Sequence, residues 1–350
     1  MNISKSVLAL LLLAPAGQLT TSYGTGAGSA GDRNSTFGHE AGTGLSVGSD
    51  NTLVGAQAGW NTTSGSSNTF IGASSGLVNT TGNDNTFVGS SSGSNNASGG
   101  SGTFVGVASG EANATGDHGT FLGAYSGRSN TSGYSNTFVG SLSGLQNTTG
   151  WNNTFLGVSA GLANRDAGQN TFLGTSAGYS NISGGGNVFL GHEAGFYEQG
   201  SNKLYVANQR SGPPLIYGDF VSGGVGINTT QLSDGSSDYA LSVEGKIRAT
   251  DAIVTYSGWA DYVFDNDYTL RPLTDVADFI EENRHLPDVP TAEEIAKRGN
   301  NLGETDAVLL RKIEELTLYM IAQNETQQRQ AEAIASQRAR ISELEARLAR

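Results

Sequence analysis

The chain has no cysteine in 350 residues, which excludes disulfides, thiolate metal sites and lipoprotein-type lipidation. Charged residues are 15% of the total, below the usual quarter, and the net charge of -13 leaves no basic face for nucleic acid. A disordered chain would be expected to carry more proline or more charge; proline occurs only 6 times here. Apolar residues reach 36%, little for a chain that must bury a large private core. What is abundant is glycine, at 51 residues about twice its usual share. Glycine-rich, charge-poor and periodic together indicate a repeat architecture, in which small residues fit tight turns and each unit buries little alone.

Val7 to Leu13 is an apolar run of seven residues, too short to span a bilayer. With Lys5 before it and Ala14-Pro15-Ala16 after it, residues 1–16 read as a secretory signal peptide with an A-x-A cleavage site, so the mature chain is expected to be secreted or displayed at a bacterial cell surface. Residues 17–33, rich in Gly, Ser and Thr, are expected to form a flexible N-terminal segment.

From residue 34 to 200 the chain repeats. The aromatics Phe70, Phe87, Phe104, Phe121, Phe138, Phe155, Phe172 and Phe189 recur at a constant 17-residue step. Leu53 fits one step earlier. Phe37 stands one residue short of a further step and reads as an atypical first coil with a deletion, giving ten coils. The unit is N-T-F-Φ-G-x-x-s-G-x-x-N-x-x-G-x-x, with Φ aliphatic and s Ser or Ala. Thr-Phe-Φ is short and β-prone, so it is expected to be one strand per coil. The glycine after it (Gly55, Gly72, Gly89, Gly106, Gly123, Gly140, Gly157, Gly174, Gly191) marks a backbone angle or close approach that other residues resist. The small residue and the second glycine are expected to let a second strand lie close against the first. The glycine near the coil end is a turn, and the Asn column from Asn79 to Asn181 would form an amide ladder at ~4.8 Å spacing. One coil brings two large apolar side chains, so neighbouring coils, neighbouring chains or both are expected to complete the core.

These repeats resemble the head of YadA-like trimeric autotransporter adhesins, in which a short Asn-led apolar strand precedes a Gly, then a small residue and another Gly. The resemblance covers about half the chain and implies a left-handed β-roll packed as a homotrimer. The present unit is longer than the usual head repeat, through the extra residues of its N-T-T-G segment.

Residues 201–258 read as a β shaft of short strands at Lys203 to Asn208, Pro213 to Phe220, Val225 to Thr229 and Ala240 to Ile247. Residues 259–306 read as a small, α-rich domain. Thr274 to Glu282 suits a helix with Thr274 as N-cap, and Thr291-Ala292-Glu293-Glu294 opens another with a capping box. The phrases Trp259-Ala260-Asp261-Tyr262-Val263-Phe264 and His285-Leu286-Pro287-Asp288-Val289-Pro290 resemble the C-terminal domain of tail-fibre and tail-spike intramolecular chaperone proteins, which implies a trimerisation aid. The self-cleaving versions use an S-D-x-x-x-K-type motif, which is not found here.

Residues 307–350 read as a coiled coil. Its seam includes Leu309, Ile313, Leu316, Met320, Ile334, Ile341, Leu344 and Leu348, with Gln323, Gln327, Gln330 and Gln337 as polar layers. Ile and Leu in this seam lean toward two strands, so the expected trimer rests on the repeat and the resemblance. An outer-membrane anchor of the YadA type is not recognised, and the chain is expected to be released or held by an anchoring protein.

No enzyme, cofactor or metal is expected. His285 with Asp288 reads as a Pro-flanked loop, and Asp261, Asp265 and Asp267 lack the Gly and distal Glu of a calcium loop. The variable column before each N-T-F brings Tyr134 and Trp151 together, a candidate ligand patch or subunit contact. An ice-binding face on the Thr column is set aside because each coil pairs one Thr with a bulky Phe. The function expected is attachment to a surface receptor or extracellular ligand, with a phage-type receptor-binding tail fibre as the alternative.

Overall fold

The computed structural model describes residues 20–235 and 237–348; the expected signal peptide lies outside them. The fold is mostly β, a solenoid of 17-residue repeats, with helix at the C-terminal end. The chain divides into two compact units, one up to Ile247 and one from Arg248 onward.

In the first unit each coil contributes one three-residue strand. These are β1 (Thr21–Tyr23), β2 (Ser35–Phe37), β3 (Thr52–Val54), β4 (Thr69–Ile71), β5 (Thr86–Val88), β6 (Thr103–Val105), β7 (Thr120–Leu122), β8 (Thr137–Val139), β9 (Thr154–Leu156), β10 (Thr171–Leu173) and β11 (Val188–Leu190). They stack in chain order as a parallel ladder that continues to β12 (Lys203–Val206). β13 (Ile216–Asp219) and β14 (Gly224–Ile227) then add antiparallel, and β15 (Leu241–Val243) adds parallel to β14.

The ladder has twelve parallel strands, so the ten coils expected from sequence are too few. β1 lies in the stretch expected to be flexible, yet Thr21 N–H donates to the Asn34 carbonyl at 2.9 Å. β12 follows β11 one residue short of the full step and lies where a shaft is expected to begin. The register also corrects the first coil. Phe37 pairs with Val54, not Leu53, at the full 17-residue step. Phe37 therefore faces out, and Thr36 fills the core position there, fully buried.

Strand alternation turns Phe inward and its two neighbours outward. Phe70 to Phe189 are buried and stack face to face, with successive centroids 4.6 to 5.0 Å apart and planes within 12°. Tyr205 of β12 and Tyr217 of β13 end this column edge-on, each 5.3 Å from the ring before it. The core is thus supplied by coils of one chain; the aliphatic residue after each Phe lies outside it.

Among the described residues no coil forms a second strand. The small residue and second glycine lie in a turn, whose backbone nevertheless bonds to the next coil: Gly76 N–H to the Ser92 carbonyl at 2.9 Å and Val78 N–H to the Ser94 carbonyl at 2.8 Å. The small residue is buried, and where it is Ser its hydroxyl donates to the carbonyl of the next coil's Phe, as from Ser126 to Phe138 at 2.9 Å.

Positive φ alone does not select the glycines. Tyr125 and Leu142, between the two glycine columns, have φ of 61° and 62°. Crowding decides instead. A Cβ on Gly123 (φ 135°) would lie 2.6 Å from the Gly140 carbonyl carbon, and one on Gly127 would lie 2.8 Å from the Phe121 ring.

The second unit holds α1 (Leu273–Asn283), α2 (Ala292–Arg298) and α3 (Leu302–Leu348). Pro272, not Thr274, stands at the N-cap of α1, and no side chain caps it. Thr291 caps α2 with the expected box: its hydroxyl accepts from Glu294 N–H at 3.2 Å, and the Glu294 carboxylate accepts from Thr291 N–H at 2.8 Å. α3 starts ahead of the coiled coil expected from residue 307, and along its 47 residues only Gly303 and Ala307 are buried.

Candidate functional surface

The interior of the solenoid is committed to its own stacking. Asn79, Asn96, Asn113, Asn130 and Asn147 form the expected ladder, with amide-to-amide bonds of 2.6 to 2.8 Å. A second buried Asn column lies outside the expectations from sequence. The Asn that opens each N-T-F accepts from the backbone N–H one coil on, as Asn51 Oδ1 does from Asn68 at 3.0 Å. Its own amide donates across the coil, from Asn51 to the Gly65 carbonyl at 2.9 Å. The clue in the sequence is a polar residue held in place immediately before each strand, interrupted only at Gly102 and Gly119.

Function therefore has to be sought on the outside. The strand face carries two columns. One is Thr, eight times in succession from Thr52 to Thr171; the other is Val54, Ile71, Val88, Val105, Leu122, Val139, Leu156, Leu173 and Leu190. Neither column contains an ionisable group. The Phe expected from sequence to crowd each Thr points the other way. The strand hydroxyls have no hydrogen-bond partner among the described residues, whereas off this face Thr63, Thr80, Thr131 and Thr148 bond to the neighbouring coil's carbonyl at 2.8 to 3.0 Å.

Charges sit elsewhere around the coil. Arg128 Nε donates to Glu111 Oε2 at 2.5 Å, one coil apart. Tyr134 and Trp151 do come together, with centroids 6.1 Å apart and planes 11° from parallel. The indole also lies against Gly168, whose Cβ position is 2.8 Å from the Trp151 ring. The pair stacks along the solenoid, with Tyr134 exposed and Trp151 half-buried.

Near the end of the ladder Tyr179 stacks on Phe196 at 4.7 Å, and the Arg210 guanidinium covers Phe196 at 4.1 Å while pairing with Glu193. Burial, with Glu198 accepting its hydroxyl at 2.7 Å, raises the Tyr205 pKa far above the ordinary phenol value. Lys203 Nζ donates to Asp219 Oδ2 at 2.6 Å, tying β12 to β13; this bond holds the carboxyl below and the ammonium above their usual values.

In the second unit, Leu273, Val276, Leu286, Leu309, Ile313 and Leu316 line an apolar cavity of about 420 Å³. Lys312 Nζ closes one side, bonding Asp288 at 3.1 Å and Glu315 at 2.9 Å. Burial alone would raise the Asp288 carboxyl, but Lys312 and Arg311 hold it low. His285 Nδ1 donates to the carbonyl of its neighbour Leu286 at 2.9 Å, and the ring meets Phe279 edge-on. Ile313, Leu316, Met320, Ile334, Ile341, Leu344 and Leu348 are 49 to 87% exposed; the seam borders the cavity at Leu309, Ile313 and Leu316, and from Met320 onward it has no partner within the described chain. Among the described residues no group of three or more His, Asp or Glu side chains is placed to hold a metal ion, and no helix is long and apolar enough to cross a membrane.

No protein-family model, curated protein or solved structure matches the chain.

Proposed function

We propose that the chain is a secreted or cell-surface fibre protein that mediates attachment, assembled as a homotrimer through a coiled coil built from α3. The observation that carries this reading is the exposed seam. From Met320 to Leu348 every residue of α3 is exposed, so this stretch of helix gains almost nothing from packing on its own chain. Copies carrying the same seam at alternating three- and four-residue spacing would bury it together. The Gln layers at Gln323, Gln327, Gln330 and Gln337 would set the register, since buried polar layers penalise slipped pairings.

The solenoid supports the attachment half of the reading. Each outward column presents the same group many times at fixed spacing, which suits contact with an extended surface. The likeness of the repeat to left-handed adhesin rolls and the leader-like residues 1–16 favour an exported adhesin over a phage tail fibre, which assembles in the cytoplasm.

Sedimentation velocity and native mass spectrometry of the full chain test the proposal. A trimer is expected, and deletion of residues 259–350 is expected to leave aggregates or mixed oligomers. A monomer at micromolar concentration, or clean trimers from the truncated chain, would overturn it.

A further inference from the structure

We infer that the Thr/aliphatic face of the solenoid binds the surface of crystalline ice. The inference goes beyond the attachment reading and does not depend on assembly through α3.

Ice presents an uncharged, rigid lattice of hydrogen-bond donors and acceptors repeating in two dimensions. A surface that recognises it must be equally regular, equally rigid, uncharged and supplied with unused polar groups. The strand face meets each condition. Its repeat along the stack is fixed by the in-phase ladder from β3 to β10, whose stacked rings lie 4.6 to 5.0 Å apart. Across the face, each Thr is two residues from its aliphatic partner, a spacing of ~6.6 Å in a strand. The order does not decay with distance, because every step from β3 to β10 has the same length in sequence.

The side chains are preset. Thr and most of the aliphatic column are β-branched, so χ1 is stiff and little rotamer freedom is lost on binding. Eight hydroxyls from Thr52 to Thr171 lack protein partners, and each adds an O–H donor with two acceptor positions. Between them, Thr methyls and the half-exposed Ile71, Leu156 and Leu173 order the adjoining water without binding it strongly. No charge disturbs either column.

A second copy of the chain is the competing occupant. Eight coils of such a narrow face span an area of roughly 250 Å², about a third of the ~800 Å² per partner of a standard stable interface. The free hydroxyls would also be left without partners against another aliphatic column, a cost ice does not impose.

The test uses the full chain, labelled with a fluorophore, and measures its uptake into a slowly grown ice hemisphere against serum albumin. Uptake above albumin is expected. Thr120→Lys, which sets a charge in the middle of the face, and the milder double substitution of Thr103 and Thr120 by Val are each expected to reduce uptake to the albumin level. Thr131→Val, off this face, is expected to leave uptake unchanged. Circular dichroism shows which variants fold; if the Lys variant does not, the Val variant decides. Wild-type uptake no greater than albumin, or a loss shared by Thr131→Val, would overturn the inference. Sedimentation of the same variants reports assembly separately, so failure here is distinguishable from failure of the trimer.

Discussion

Asn147 and Asn164 hold the same position in successive coils, yet no hydrogen bond joins them: Asn147 Oδ1 and both amide atoms of Asn164 are buried without a partner. The cause lies three residues on. Every coil from Gly82 to Gly150 has glycine there, and a Cβ on it would come within 2.2 to 2.5 Å of its own coil's ladder Oδ1. In the coil of Asn164 that residue is Ala167, and its methyl group takes the space the amide needs.

Ala167→Gly is therefore expected to restore the ladder. Satisfying a buried amide recovers about 1–3 kcal/mol, and the thermal midpoint should rise. An unchanged or lower midpoint in a calorimetric scan would show that the gap has another cause.

Gly140→Val should damage the solenoid far more than Tyr134→Ala. The valine Cβ would sit 2.4 Å from the Gly157 carbonyl oxygen, at a φ of 129°. The Tyr134 change removes one exposed stacked pair, about 0.5–1.5 kcal/mol. Equal thermal midpoints for the two variants would contradict the crowding argument.

Removing one ring from the middle of the stack should be costly and local. Phe121→Ala leaves a cavity between Phe104 and Phe138 and is expected to destabilise by about 3–5 kcal/mol. Hydrogen exchange should quicken first at β6 to β8. Uniform loss of protection along the ladder would mean that the coils melt as one.

The Lys203–Asp219 bond should show a defined pH window. The Asp219 carboxyl is lowered by Lys203, so its contribution is present above the ordinary carboxylate range and lost as pH falls through the lowered value. The Lys203 ammonium is raised by Asp219, so its contribution is present below the ordinary ammonium range and lost as pH rises through the raised value. Lys203→Met should lower stability by about 1 kcal/mol at neutral pH, and the difference should shrink as pH falls below the ordinary carboxylate range. A difference that persists in acid would assign the effect to packing.

Much of this fold is legible in the sequence because stacking forces identical chemistry into identical places. The period, the strand and the amide column can all be read from residues 51–200. What escapes such a reading does so for physical reasons. β1 and β12 break the 17-residue step, the latter with Tyr205 in place of Phe. The turn at the small residue mimics a strand, since its backbone also bonds between coils. Phe37 resembles a core residue by aromatic identity alone, and only the register turns it outward. The strand face is misread for a related reason: a Thr beside a Phe in sequence lies on the opposite side of the strand from it, so nearness in the chain is not crowding on the surface.

The crowding of each first-column glycine against the next has a further consequence for how such a chain can vary in length. Since each strand from β3 to β11 pairs with the next at the same 17-residue step, inserting or deleting one whole unit within this range leaves the strand register unchanged. A gene segment of this kind can gain or lose copies by unequal exchange between its own repeats. The solenoid would then lengthen or shorten in steps of ~4.8 Å, with no compensating substitution needed at either end.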